Sequence, residues 1–216
     1  MIRPESQKME KNMKKTGILG GTFDPIHNAH IQLALAAAAQ LPLDEIIFLP
    51  SPDPPHKKER NITPFEHRFK MTALATEGYD RFVCSDYETH LPQPSYTAQT
   101  LEHLTAEHPD TEYYFIIGED SLDHIETWYH PEKVMQLCVL AVAGRPAEDD
   151  DNTVEEQKNY LTGRYGARIV PLSMEETDIS STDIRKRLEE GREIDGLVPD
   201  RVIAYIRRHG LYRKEK

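Results

Sequence analysis

The chain reads as an α/β protein built on a doubly wound parallel sheet, and three observations predict it. Short apolar runs alternate with helix-forming runs along most of the length. Several apolar runs, such as Glu45–Leu49 and Cys138–Ala143, are continuous rather than alternating, as strands covered on both faces are. The length, 216 residues, suits one domain with a sizeable core, 38% of the residues being hydrophobic.

The elements follow in order. Residues 1–14 are polar and are expected to form an extension, with a single domain over 15–212. Thr16–Gly21 is a strand ending in glycines, and Asn28–Gln40 is alanine- and leucine-rich, which favours helix. Glu45–Leu49 is a second strand, and Pro50–Pro64 is a proline-rich, charged loop. Phe65–Glu77 spaces Phe65, Phe69 and Ala73 as a helix does, and Arg81–Ser85 is a third strand. Tyr96–Glu107 is a helix with Leu101 and Leu104 on one face, and Glu112–Ile117 is the most strand-like segment. Gly118–Trp128 is a loop passing into a short helix, and Cys138–Ala143 is a strand. An acidic loop over Ala147–Asn152 leads to a weak helix, Asn152–Leu161, and a strand, Arg168–Leu172. Two helices, Ser181–Glu190 and Pro199–His209, close the chain. In such a sheet the ligand site lies outside the carboxyl ends of the strands. The loops after Leu19, Leu49, Ile117 and Leu172 are therefore expected to meet there.

Composition narrows the function. The formal net charge of −11 argues against non-specific nucleic-acid or anionic-membrane binding, though a local anion site remains compatible with it. The longest apolar run, Leu33–Ala39, is too short to span a membrane, and Met1–Lys15 lacks the apolar core of a secretory signal. Cys84 and Cys138 form no C-x-x-C pair; two free thiols in a cytoplasmic protein are expected.

Two motifs carry the chemistry. Gly20-Gly21-Thr22-Phe23-Asp24-Pro25-Ile26-His27-Asn28-Ala29-His30 puts two glycines directly after a strand, where the backbone turns sharply and a ligand can come close. His27 and His30 then share one face at a helix start, where free amides and a partial positive charge suit phosphate. A tight turn with incidental histidines, or half a metal site, is the plainer alternative. In Ile179-Ser180-Ser181-Thr182-Asp183-Ile184-Arg185, the serines and Asp183 suit an ordinary capped helix. Arg185 one turn on makes the same helix start a polyphosphate site.

These two strings together resemble the nucleotidyltransferase superfamily with the H-x-G-H and I-S-S-T-x-I-R motifs. The nearest likeness is to the bacterial nicotinate-nucleotide adenylyltransferase family, over residues 15 to 210. The chain departs from the motif at Ala29, where glycine is usual. The resemblance implies a Rossmann-like fold of the nucleotidyltransferase type with C-terminal helices. It implies adenylyl transfer from ATP to nicotinate mononucleotide in NAD biosynthesis, in the cytoplasm, with Mg²⁺ accompanying ATP as co-substrate. Activity on nicotinamide mononucleotide, or on both, is the alternative, and a non-catalytic nucleotide sensor a remoter one. A homo-oligomer is left open, and no nucleic-acid or membrane partner is expected.

The resemblance also implies residues. Gly20, Gly21, Thr22, Phe23, His27, His30, Ser180, Ser181, Thr182 and Arg185 would hold ATP, with His30, His27 and Arg185 catalytic. No metal ligand is assigned. His56 and Lys57 of the Pro54-Pro55-His56-Lys57 stretch, Thr97 of Ser95-Tyr96-Thr97, Asp120 of Gly118-Glu119-Asp120-Ser121-Leu122 and Trp128 would bind the mononucleotide. Without the resemblance these are a stiff surface loop, a helix cap, a helix-start acid and a core tryptophan. His67, His103, His108, His124 and His209 read as surface residues.

Overall fold

The computed structural model describes residues 13–54, 62–144, 152–175 and 177–213. His56, Lys57, the acidic loop and most of the N-terminal extension lie outside them.

Six strands form one sheet: β1 (Lys14–Gly21), β2 (Glu45–Pro50), β3 (Phe82–Cys84), β4 (Thr111–Gly118), β5 (Val139–Gly144) and β6 (Arg168–Ser173). Their order is β3-β2-β1-β4-β5-β6, and every neighbouring pair is parallel. The chain leaves β1 toward β2 and β3, then returns past β1 to lay down β4. The switch point therefore falls between β1 and β4, as the alternation of elements predicts.

Among the described residues eight α-helices cover the sheet: α1 (Asn28–Gln40), α2 (Phe65–Thr76), α3 (Thr97–Glu107), α4 (Glu119–Asp123), α5 (Pro131–Leu137), α6 (Asn152–Tyr165), α7 (Ser181–Glu189) and α8 (Asp200–His209). Alternation along each strand splits the core in two. Leu19 and Phe48 face a cluster built with Ile31, Met71, Ile184 and Ile203 of α1, α2, α7 and α8. Ile18 and Leu49 face the other cluster, built with Leu101, Leu122, Met135 and Leu161 of α3 to α6. Each such fully buried aliphatic contributes roughly 1.5–3 kcal/mol, so both faces are held by the hydrophobic effect.

Most predicted elements are present within two residues of their expected ends. Helix α5 is not among them. The sequence reading assigned no element between Trp128 and Cys138; there Pro131 starts a helix at its first position, after His130 turns through the left-handed region at φ 49°. His67 is also not a surface residue: it is half-buried, and its Nδ1 lies 2.9 Å from the Tyr205 hydroxyl of α8. Cys84 and Cys138 are free, and burial pushes both thiols up to about 12, which makes them inert. Among the described residues no helix is long and apolar enough to cross a membrane.

Candidate active site at the β1–β4 switch point

Pairing between β1 and β4 runs only to Ile18 and Phe115. Beyond it the strand ends part, and the loop after β1 fills the gap. Gly21 lets the chain pack tightly there. A Cβ on it would stand 3.0 Å from the Phe23 ring, which folds back beneath it, 2% exposed and at φ 48°. The Phe23 ring then meets His30 edge-on, with centroids 5.0 Å apart.

His27 is the N-cap of α1 and is buried. Its backbone N–H donates to His30 Nδ1 at 3.2 Å, and the two rings lie 3.7 Å apart at 30°. A His30 that accepts at Nδ1 carries its proton at Nε2 when neutral. Desolvation lowers the His27 pKa to about 4, so that ring is neutral at pH 7. His30 thus has its N–H at Nε2 when neutral, stacked beside the uncharged His27 ring.

The terminal motif docks directly on this loop. Ser180 caps α7 by accepting from the Asp183 N–H at 3.1 Å. The next hydroxyl, on Ser181, donates to the Pro25 carbonyl at 2.9 Å. Arg185 Nη1 donates to the Asp24 carbonyl at 2.6 Å, and its Nη2 to Thr182 Oγ1 at 3.3 Å. The two motifs, more than 150 positions apart, are one site. Ser181 and Arg185 spend part of their donor capacity on the loop itself.

A cleft of about 660 Å³ opens beside them, between the start of α1 and the ends of β4 and β5. Its volume falls in the range of small-molecule sites. His30, Ala29 and Asp120 line it, so the substituted motif position faces the cleft, and Asp120 stands with the histidine. Glu119 and Gly144 line it too. The Glu119 carboxylate lies on Gly144, where a Cβ would come within 1.6 Å of its Oε1.

Two of the expected mononucleotide residues, Thr97 and Trp128, lie apart from that cleft, each next in the chain to a member of the Tyr96–Tyr129 stack. Tyr96 is the N-cap residue of α3 and Thr97 its first residue. Tyr96 stacks on Tyr129 at 4.4 Å, which ties the α3 start to the segment holding Trp128. Trp128 is half-buried, edge-on to Phe115 at 6.0 Å. Ser95 and Thr100 donate to Glu88 at 3.0 and 2.8 Å. Burial raises the Glu88 carboxyl pKa, and these two hydroxyls partly offset it.

Sequence reasoning missed the residue that holds the loops together. Arg68 of α2 is 1% exposed and donates to four carbonyls: Thr22 at 2.7 Å, Ser51 at 2.8 Å, Thr63 at 2.8 Å and Pro52 at 3.2 Å. It stitches the loop after β1 to the loop after β2. Burial lowers its pKa and the Asp24 charge raises it. In the sequence it was one charged position in a helical pattern, with no signal that it points inward.

A parallel sheet with phosphate-suited donors from two motifs at its switch point defines a nucleotidyltransferase. The cytidylyltransferase-like family model matches residues 18–187. Probable nicotinate-nucleotide adenylyltransferases of Clostridium botulinum (strain Eklund 17B / Type B) and Lachnoclostridium phytofermentans are 41% and 44% identical over 203 and 200 residues. These alignments cover 94% and 93% of this chain and 100% of each relative. The chain belongs to the cytidylyltransferase-like family and, within it, to the nicotinate-nucleotide adenylyltransferases. The fold also matches the Plasmodium falciparum nicotinic acid mononucleotide adenylyltransferase complexed with NaAD, at TM-score 0.74 and 23% identity, over 92% of this chain and 97% of that one.

Proposed function

We propose that the protein transfers the adenylyl group of ATP to nicotinate mononucleotide, giving nicotinate adenine dinucleotide and pyrophosphate. The observation that carries this reading is the docking of Ser181 and Arg185 onto the carbonyls of Pro25 and Asp24, which joins the terminal motif to the loop whose His30 lines the cleft.

A phosphate oxygen of the mononucleotide attacks the α-phosphorus of ATP, and the bond to the β-phosphate bridging oxygen breaks. The nucleophile is already ionised, so no general base is needed. Positioning and charge stabilisation supply the rate. His30 donates to the α-phosphate as charge builds there, held in register by the His27 amide. Arg185 and the amides at the start of α7 take the pyrophosphate. Asp120 accepts from a ribose hydroxyl in the cleft beside His30. Thr97 and Trp128 belong to the mononucleotide side; the resemblance also assigns His56 and Lys57 to that substrate.

Among the described residues no cluster of three His, Cys, Asp or Glu could hold a metal. Mg²⁺ enters this reading as part of the MgATP substrate, where it would neutralise phosphate charge.

The test is pyrophosphate release at fixed MgATP with each pyridine mononucleotide. The amide donors near Thr97 suit a carboxylate, so kcat/KM should favour nicotinate mononucleotide by at least about tenfold. Equal efficiencies would replace the substrate assignment with a dual one. No release with either would refute adenylyl transfer to pyridine nucleotides.

A further inference from the structure

Asp24 sits at the centre of the loop after β1, and its contacts reach far along the chain. It is 5% exposed. Its carbonyl accepts from Arg185. Its Oδ2 accepts from the Thr63 N–H at 3.4 Å. Its Oδ1 accepts from the hydroxyl of Tyr212 at 2.7 Å, across 188 positions. Nothing in the proposed chemistry uses Tyr212.

The tail that delivers Tyr212 has a costly backbone. After α8 the chain turns at Gly210, φ 62°, with the Leu211 N–H returning to the Ile206 carbonyl at 3.1 Å. Tyr212 itself lies at φ 61°, in the left-handed region that a bulky residue rarely adopts. Such a conformation persists only where surrounding contacts enforce it. Burial, and then the Asp24 charge, push the phenol far above its ordinary range, so it stays a proton donor.

We propose that Tyr212 is a positioning residue for ATP: its hydroxyl fixes Asp24, and Asp24 fixes the two carbonyls on which Ser181 and Arg185 dock. The inference rests on the adenylyl-transfer reading. Removing the hydroxyl leaves a buried carboxylate oxygen without its donor, which must turn toward another partner or draw in water. Either response shifts residues 24–25, and with them the docking points of the terminal motif. The mononucleotide side, built on Glu88 and the Tyr96–Tyr129 stack, shares none of these bonds.

The experiment is Tyr212→Phe in the full chain, which keeps the ring and removes one hydroxyl. Amide hydrogen exchange over residues 20–27 should quicken by about tenfold or more, with that of α5 unchanged. The KM for ATP should rise about fivefold or more, with the KM for nicotinate mononucleotide within about twofold of wild type. Unaltered exchange at 20–27, or an equal rise in both KM values, would overturn the proposal. If wild-type protein releases no pyrophosphate, the functional reading fails instead. Exchange, together with direct titration of MgATP, then decides the role of Tyr212 alone.

Discussion

The segments proposed to hold the ATP phosphates and those proposed to hold the mononucleotide are built differently. The phosphate side is held by polar groups from distant parts of the chain, with Arg68 and Asp24 buried and Ser181, Arg185 and Tyr212 half-buried. Arg68 binds four carbonyls, Arg185 and Ser181 bind two more, and Tyr212 binds the Asp24 carboxylate. The mononucleotide side is held mainly by near neighbours. Glu88 binds Ser95 and Thr100, and one exposed stack joins Tyr96 to Tyr129. Charge develops in the transition state at the phosphates, so donors there gain most from being fixed before substrate arrives. A ring and its carboxyl group can be received by a looser surface.

The largest expected effect breaks the rigid side. Arg68→Met removes the buried guanidinium and orphans several carbonyls. It should cost about 3–5 kcal/mol of stability, read as a drop of roughly 10 °C in the melting midpoint. A drop under 3 °C would mean that the loops after β1 and β2 need no common anchor.

Next comes His30→Ala. Loss of one fixed donor at the α-phosphate should lower kcat by about 100-fold, or ~3 kcal/mol, with the melting midpoint nearly unchanged. Turnover near wild type would remove His30 from the chemistry.

The pH dependence of folding sharpens the same contrast. His27 has its folded pKa depressed from 6.5 to about 4 by burial. The unfolded chain therefore binds the extra proton first as pH falls. The stability that His27 contributes is fully present above about 6.5 and is lost progressively down to about 4, in all roughly 3 kcal/mol. Chemical denaturation between pH 7 and 4 checks this; His27→Gln should flatten the curve across that window.

Glu88 has the opposite sign and the smallest effect. Burial raises its folded pKa above its ordinary value of 4.5, so the folded state holds the proton longer. Its contribution is greatest at low pH and declines as pH rises through the folded value. Glu88→Gln should gain stability relative to wild type as pH rises above 4.5. It should alter the KM for the mononucleotide more than that for ATP. A larger change for ATP would erase the distinction between the two sides.

The fold was legible because its causes are local and periodic. Continuous apolar strands such as Cys138–Ala143 and helical runs such as Asn28–Gln40 announce a sheet covered on both faces, and the order of elements then locates the switch point. Part of the site was legible for the same reason. His27, His30, Ser180, Ser181 and Arg185 sit in strings short enough to place at a strand end or a helix start.

What the sequence by itself determined was therefore the class of fold, the two motifs, and the end of the sheet where they meet. Only the tertiary structure decided how the motifs lock, since a docked carbonyl such as that of Asp24 or Pro25 belongs to the backbone and leaves no mark on residue type. It also decided the contacts of Arg68, Glu88 and Tyr212. A charged or phenolic side chain in a helical or tail pattern reads as surface. Burial becomes affordable only when several distant partners satisfy every polar atom at once, and the folded chain alone brings those partners together.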